Sequence, residues 1–425
     1  MSSKPRIGFC GLGAMGGGMA INLVKNGFPV TGYDVYTALV DKLVAAGGTA
    51  AGTPADAASK ADYLILMVAN QHQVSSLLFD GETAAAYELD EGRCIVLCST
   101  TPPHFLHELR SRLDREGRED VKLLDCPVSG GTARAADGTL SIFSSGADAD
   151  LAAAAEVLEC MSRNLYRVEG GIGAGTKVKT IHQLLAATNI IAASEAMGLA
   201  ATVGLNTAAV ADHVKAHDGA SFMFANRVPH MLADDWHPFS ALSIILKDAG
   251  IVTATGRLHG YPTPLASCAE SLYTAGVAAG WAADDDAKTV LLYLPSDAPS
   301  RVAKKTAADA KMRSSCQVSP DVVNDLLAGV HLAASVEAMA FCKRLGIATA
   351  LMHEIVVDAA GRNEMFTLHV PGMLRRDEWT LAACEAAPEV RDRLANAVDK
   401  CKAIKYPCPM AVAALQQFHF AALKR

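Results

Sequence analysis

From residue 6 to about residue 168, short apolar runs alternate with longer stretches in which apolar positions recur every three or four residues. The runs at 7–10, 30–33, 63–68, 95–98 and 121–125, and later 141–145 and 165–168, have strand length and favour Val, Ile and Leu. Runs that are apolar throughout are strands covered on both faces. Their alternation with helical stretches predicts a parallel sheet with helices on either side, an α/β Rossmann-type doubly wound domain over residues 1–174. After residue 175 the period changes. Alanine-rich sequence at helical spacing runs to residue 425 with almost no strand signal, which predicts an all-α region. Residues 296–319 are polar and without apolar period, so they are expected to link a helical domain at 175–295 to another at 320–425.

The two helical parts are copies. HQLLAATNIIAASEAMGLAATVGL, from His182, returns as NDLLAGVHLAASVEAMAFCKRLGI from Asn324. FMFANRVPHML, from Phe222, returns as EMFTLHVPGML from Glu364, and GYPTPLA, from Gly260, as KYPCPMA from Lys405. In this register Lys179 stands opposite Asp321, and Lys247 stands roughly opposite Asp392. A repeat that keeps its packing residues and exchanges two cations for anions retains chemistry in the first copy only.

At 425 residues the chain exceeds what one simple core organises. Net charge is −7, and the lysines and arginines are dispersed, which argues against nucleic acid and anionic membrane as partners. The eleven cysteines form no CxxC pair and the N-terminus runs straight into a strand-like segment, so reduced thiols and a cytoplasmic location are expected. The apolar stretch 184–205 is broken by Asn189 and Glu195, which favours a buried helix over a membrane span. HExxH, paired CxxC and GxSxG are absent, so neither a metal site nor a serine nucleophile is expected.

Candidate chemistry begins at the first strand-to-helix turn, where GLGAMG supplies Gly11, Leu12, Gly13, Ala14, Met15 and Gly16. The first glycine allows the tight turn, the second lets backbone approach a pyrophosphate, and the third packs helix on strand. The helix N-terminus then directs amides at the phosphates. Asp34 ends the next strand, placed to accept from ribose hydroxyls and to repel a 2′-phosphate, which predicts NAD, with NADP less favoured. Val68, Ala69 and Thr100 follow strands at the carboxyl edge, where such a sheet binds its ligand.

DCPVSGG, 125–131, exposes the Ser129 hydroxyl and the amides of Gly130 and Gly131, a cradle for a carboxylate. GIGAGTKVKTIHQLLA then opens a long helix on which Lys179, His182, Gln183 and Ala186 share one face. An exposed lysine holds its proton too tightly to act as a base. Desolvation and a neighbouring nicotinium cation lower that affinity, which makes Lys179 the candidate general acid/base.

The order GLGAMG, STTPP, DCPVSGG, GAGTKVKTIHQLL and LKDAG, over residues 5–295, resembles the β-hydroxyacid dehydrogenases, the group that includes 3-hydroxyisobutyrate and L-threonate dehydrogenases. His182–Gln183, where most members have two asparagines, is similar to the threonate dehydrogenase branch. The resemblance implies a 6-phosphogluconate-dehydrogenase-like helical domain, here present twice, and NAD-dependent oxidation of a small hydroxy acid. It also implies that Lys179 is the catalytic lysine and that Ser129, Gly130 and Gly131 bind the substrate carboxylate. His182 then touches substrate, Phe222 lines its pocket, and Thr100 and Lys247 contact cofactor. Helical domains of two subunits intertwine in the group, so the second copy is expected to form an internal pseudo-dimer with the first. Two alternatives share the same motifs: a reductase of short aldehydes or 2-oxo acids, and a catalytically silent NAD-binding scaffold.

Overall fold

The computed structural model describes residues 4–294, 302 and 317–423. The linker expected at 296–319 lies almost wholly outside the described residues. The chain divides into two compact units, Met1–Thr180 and Ile181–Arg425.

The first unit is built on a six-stranded parallel sheet of order β3-β2-β1-β4-β5-β6. Its strands are β1 (Ile7–Cys10), β2 (Val30–Tyr33), β3 (Thr49–Ala50), β4 (Tyr63–Leu66), β5 (Cys94–Leu97) and β6 (Lys122–Asp125). Helices α1 (Gly16–Lys25), α2 (Thr37–Ala45), α3 (Pro54–Ala58), α4 (Gln71–Phe79), α5 (Ala85–Glu88) and α6 (Pro103–Arg115) connect them. Because strand side chains alternate in direction, the inner strands feed two cores. Ile7, Phe9, Ile65 and Val96 pack with Met19 and Leu23 of α1. Leu64, Leu66, Ile95 and Leu97 pack on the opposite face with Leu106, Leu109 and Leu113 of α6. Strand order reverses between β1 and β4, the switch point where such sheets bind ligands beyond their carboxyl ends.

A second sheet holds β7 (Val128–Ser129), β8 (Leu140–Ser144) and β9 (Ser162–Arg167), with α7 (Gly131–Asp137) and α8 (Asp148–Met161). The two-residue strands β3 and β7 are too short to leave a periodic signal. β4 stops at Leu66, short of the expected residue 68, and the Val68 N–H turns to the Ser99 hydroxyl at 2.8 Å.

Helix α9 (Ala174–Thr202) starts in the first unit and continues into the second. After it come α10 (Thr207–Lys215), α11 (Phe222–Ala233), α12 (Leu242–Leu258) and α13 (Pro264–Ala278). The second copy repeats the order as α14 (Pro320–Arg344), α15 (Thr349–Asp358), α16 (Glu364–Arg376), α17 (Ala387–Ala403) and α18 (Pro409–Ala422). Details repeat as well. Pro229 and Pro371 lie inside α11 and α16, and both helices end on a left-handed aspartate, Asp234 (φ 55°) and Asp377 (φ 52°). Helices α9 and α14 are long and apolar enough to cross a membrane, but 100% and 89% of their most apolar windows are buried inside the fold.

The copies bind each other through matched contacts. Ser221 and Asn363 form an antiparallel bridge, flanked by Phe222 N–H donating to the Arg362 carbonyl and Glu364 N–H donating to the Ala220 carbonyl, both at 2.9 Å. Glu195 of α9 accepts from the Met410 and Ala411 amides at the start of α18, at 2.9 and 3.0 Å. Glu337 of α14 accepts from the Leu265 and Ala266 amides at the start of α13, at 3.1 and 3.2 Å. Each carboxyl thus satisfies first-turn donors that no local side chain caps, since the N-cap residues Thr263 and Cys408 make no side-chain bond. Burial, working against those amides, pushes Glu195 up to about 8 and Glu337 up to about 7.

Candidate active site

The glycine-rich turn has the geometry that a pyrophosphate needs. Gly11 follows β1 at φ +95°, and a Cβ there would lie 2.3 Å from the Met67 carbonyl oxygen. A Cβ on Gly16, the first residue of α1, would lie 1.9 Å from the Gly11 carbonyl oxygen, while one on Gly13 would meet nothing within 4 Å. The turn is therefore closed where strand, turn and helix pack and open at Gly13 and Ala14. No acidic side chain stands in the first turn of α1 to oppose an anion. These features fit a dinucleotide. Asp34 steadies the turn itself, accepting from the Leu12 amide at 2.7 Å and, through its other oxygen, from the Tyr36 amide at 2.9 Å. Each oxygen keeps a second lone pair for a ribose hydroxyl. Across the switch point, the Val68 and Ala69 amides bond to Ser99 Oγ and Gln73 Oε1, and Thr100 is half-buried beyond β5.

In the same unit Ser129 is buried at the end of β7, paired with Ser141 of β8. Gly130 caps α7 at φ +141°, and Gly131 follows at +76°, beside open space. Both glycines hold left-handed backbone angles that a side chain would strain.

The start of α9 is anchored by Asp125, whose place at the end of β6 gives it no motif of its own. Its carboxylate accepts from the Thr176 N–H at 2.8 Å, the Thr176 hydroxyl at 2.6 Å and the Ser145 hydroxyl at 3.1 Å. The Ser145 hydroxyl oxygen in turn accepts from the Gly175 N–H at 2.9 Å. Asp125 is fully buried and burial raises it to about 6, with the hydrogen bonds to Thr176 opposing. Lys179 follows three residues after Thr176, about one helical turn, and is 6% exposed. The available signal was the pair of DCP and GAGT, an acid after a strand and a threonine at a helix start.

The remaining candidates belong to the second unit. His182 is buried in α9, its Nε2 accepting from the Gly361 N–H at 3.1 Å and its Nδ1 lying 3.0 Å from Gln183 Oε1. The Gln183 amide donates to Asp248, which ion-pairs with Lys247 at 2.9 Å. Phe222 is half-buried at the first position of α11, immediately after the ribbon joining the copies. In the second copy Asn324 and Asp325 replace His182 and Gln183. Asn324 Oδ1 accepts from the Gly219 N–H at 2.9 Å, while Arg393 is gripped by Asp218 and Asp325 at 2.8 and 2.7 Å. Asp321, opposite Lys179 in the repeat, is largely exposed and pairs with His213.

The family described as the NAD binding domain of 6-phosphogluconate dehydrogenase matches residues 6–170. The one described as NAD-binding of NADP-dependent 3-hydroxyisobutyrate dehydrogenase matches residues 173–293 and 321–424, one stretch in each helical copy. An L-threonate dehydrogenase of Cupriavidus necator is 37% identical over 295 residues, 69% of this chain and 98% of the relative. A crystal structure of 3-hydroxyisobutyrate dehydrogenase from Salmonella typhimurium is similar at 35% identity and TM-score 0.64, covering 68% of this chain and all of that one. The 6-phosphogluconate dehydrogenase of Plasmodium falciparum, at 13% identity and TM-score 0.60, covers 98% of this chain and 92% of its own, a likeness of fold that extends through both copies.

Proposed function

The chain belongs to the β-hydroxyacid dehydrogenase family, in its 3-hydroxyisobutyrate dehydrogenase-like group, and on that premise we propose that its substrate is a small polyhydroxylated acid of the L-threonate type. It is an NAD-dependent dehydrogenase acting on the CH–OH group of a hydroxy acid. The observation that carries the assignment of roles is Lys179, buried one turn above a helix start that Asp125 pins to the end of β6. Bound NAD supplies the hydride acceptor. The chain supplies the rest: Ser129 and the Gly130 and Gly131 amides hold the carboxylate, and Lys179 takes the hydroxyl proton as the carbonyl forms. Gly11 to Gly16 receive the pyrophosphate, Asp34 the ribose, and Val68, Ala69, Thr100 and Lys247 line the remainder of the cofactor. His182 and Phe222 shape the substrate side. The dispersed cations leave no footprint for nucleic acid or a membrane surface.

The test is NADH formation over a panel of L-threonate, 3-hydroxyisobutyrate and L-serine. L-Threonate is expected to be the best substrate, with NAD preferred to NADP. Lys179→Ala is expected to lose turnover while NAD binding, followed by fluorescence titration, stays near that of the parent. Comparable turnover by the variant, or a preference for NADP, defeats the respective assignment.

We infer also that the second copy takes the place a second subunit's helical domain would fill. The reciprocal bonds of Glu195 and Glu337, and the bridge of Ser221 with Asn363, are the self-complementary contacts of a two-fold interface made within one chain. Light scattering is expected to give a particle that does not depend on the first copies of two chains interlocking. An obligate homodimer joined through α9 and α11 would refute this.

A further inference from the structure

We propose that the second helical copy, although it lacks counterparts of Lys179 and Lys247, is a working part of the active site, because its Gly361 amide fixes the ring of His182. The inference rests on the proposed place of His182 beside the substrate. Gly361 follows α15 in the second copy, and both its backbone groups are held by α9 of the first. Its N–H donates to His182 Nε2 at 3.1 Å, and its carbonyl accepts from Asn189 Nδ2 at 3.2 Å. His182 and Asn189 are seven residues apart, two turns along one face of the helix.

A backbone amide can only donate, so Nε2 carries no proton and Nδ1 does in the neutral ring. Nδ1–H then donates to Gln183 Oε1. The glutamine is constrained from its far side too, since its Nε2 donates to the Asp248 carboxylate, which can only accept while ionised. One chain of donors therefore runs from Gly361 through His182 and Gln183 to Asp248, and it admits a single tautomer and a single amide orientation. Gln183 Nε2 retains a second hydrogen, a donor aimed by the second copy and suited to a hydroxyl or carboxylate oxygen. Gly361 and His182 act through Gln183 and are positioning residues.

The sister position shows that this contact belongs to the pairing of the copies. Gly219 of the first copy stands opposite Gly361, and its N–H donates to Asn324 Oδ1, the residue opposite His182. An asparagine therefore reaches the same amide in the same setting. The first copy uses a histidine, whose second nitrogen continues the chain to Gln183, whereas Asn324 turns its Nδ2 to Asp218 at 2.6 Å.

The experiment uses the full-length protein labelled with 15N-histidine, the His182 resonances being identified by their loss in His182→Asn. The expected spectrum has a protonated Nδ1 and a hydrogen-bonded, unprotonated Nε2. Asn189→Ala frees the Gly361 carbonyl and lets the loop shift. It is expected to bring in the Nε2–H tautomer and to raise KM for the hydroxy acid roughly three- to ten-fold, the scale of one lost hydrogen bond, with a smaller change in KM for NAD. Gly361→Ala, whose Cβ would stand 3.2 Å from Leu185 Cβ and 3.5 Å from His182 Cδ2, is expected to act in the same direction. His182→Asn retains the amide contact, as Asn324 does, and so is expected to keep the parent's unfolding midpoint while losing the link to Gln183. An Nε2–H tautomer in the parent protein, or variants that lose stability with tautomer and KM unchanged, would overturn the proposal. A protein that oxidised none of the acids but kept the tautomer and its dependence on Asn189 would overturn only the substrate reading and leave the clamp standing.

Discussion

Replacing Glu195 with alanine removes the acceptor for two buried backbone donors at the start of α18, Met410 and Ala411, bonded at 2.9 and 3.0 Å. Neither amide has a local substitute, because Cys408 provides no side-chain cap and Pro409 occupies the first helical position. Stranding a buried donor costs about 1–3 kcal/mol, so Glu195→Ala is expected to destabilise the protein by roughly 2–6 kcal/mol. That is a large part of the about 5–15 kcal/mol that holds a typical domain together. Glu195→Gln keeps one acceptor and turns an amide donor on the other site, and is expected to cost about half as much. Glu337→Ala strands Leu265 and Ala266 in the same way, so its loss should match that of Glu195→Ala. The assay is urea unfolding followed by circular dichroism, with the midpoint shifting and the denaturant slope constant. Losses below about 0.5 kcal/mol, the size of an ordinary surface substitution, would refute the assignment of these carboxyls as caps shared between copies.

The same carboxyls set a pH dependence. Unfolded, each releases its proton near the ordinary 4.5, whereas in the native fold Glu195 keeps it to about 8 and Glu337 to about 7. The native state then holds more protons between these limits, so the stabilising contribution is complete below about 4.5 and is lost as pH rises towards 8. Urea midpoints taken from pH 5 to 8 should fall with pH and flatten in the Glu195→Ala, Glu337→Ala double variant. Asp125→Asn replaces the carboxylate that holds both groups of Thr176 and is expected to cost about 1–3 kcal/mol. It should also lower kcat more than NAD affinity, because it loosens the turn beneath Lys179, and equal kcat in parent and variant would argue against that anchoring.

The Rossmann sheet was legible because its inner strands β1, β4 and β5 are buried on both faces and its glycines stand where backbone must pass backbone, as Gly11 and Gly16 do. The helical duplication was legible because packing residues repeat, and the contacts of Glu195 and Glu337 give that repeat a physical cause. What the pattern could not convey are relations between residues far apart in sequence. Asp125 and Thr176 are separated by 51 positions and His182 and Gly361 by 179. A lone aspartate at a strand end and a glycine in a loop have no period to betray them. The short strands β3 and β7 escaped for a different reason, since two residues cannot display alternation. Asp34, placed to receive a ribose, also grips the Leu12 amide and so braces the turn, a duty no motif announces.

The bridge between Ser221 and Asn363 joins segments of one polypeptide, and this alters how the assembly responds to dilution and to mutation. Two separate subunits fall apart when scarce, whereas halves encoded in tandem remain together at any concentration because their meeting is unimolecular. In a symmetric dimer every substitution strikes both partners at once. Here each half can differ alone, as it does where Asp321 stands in register with Lys179.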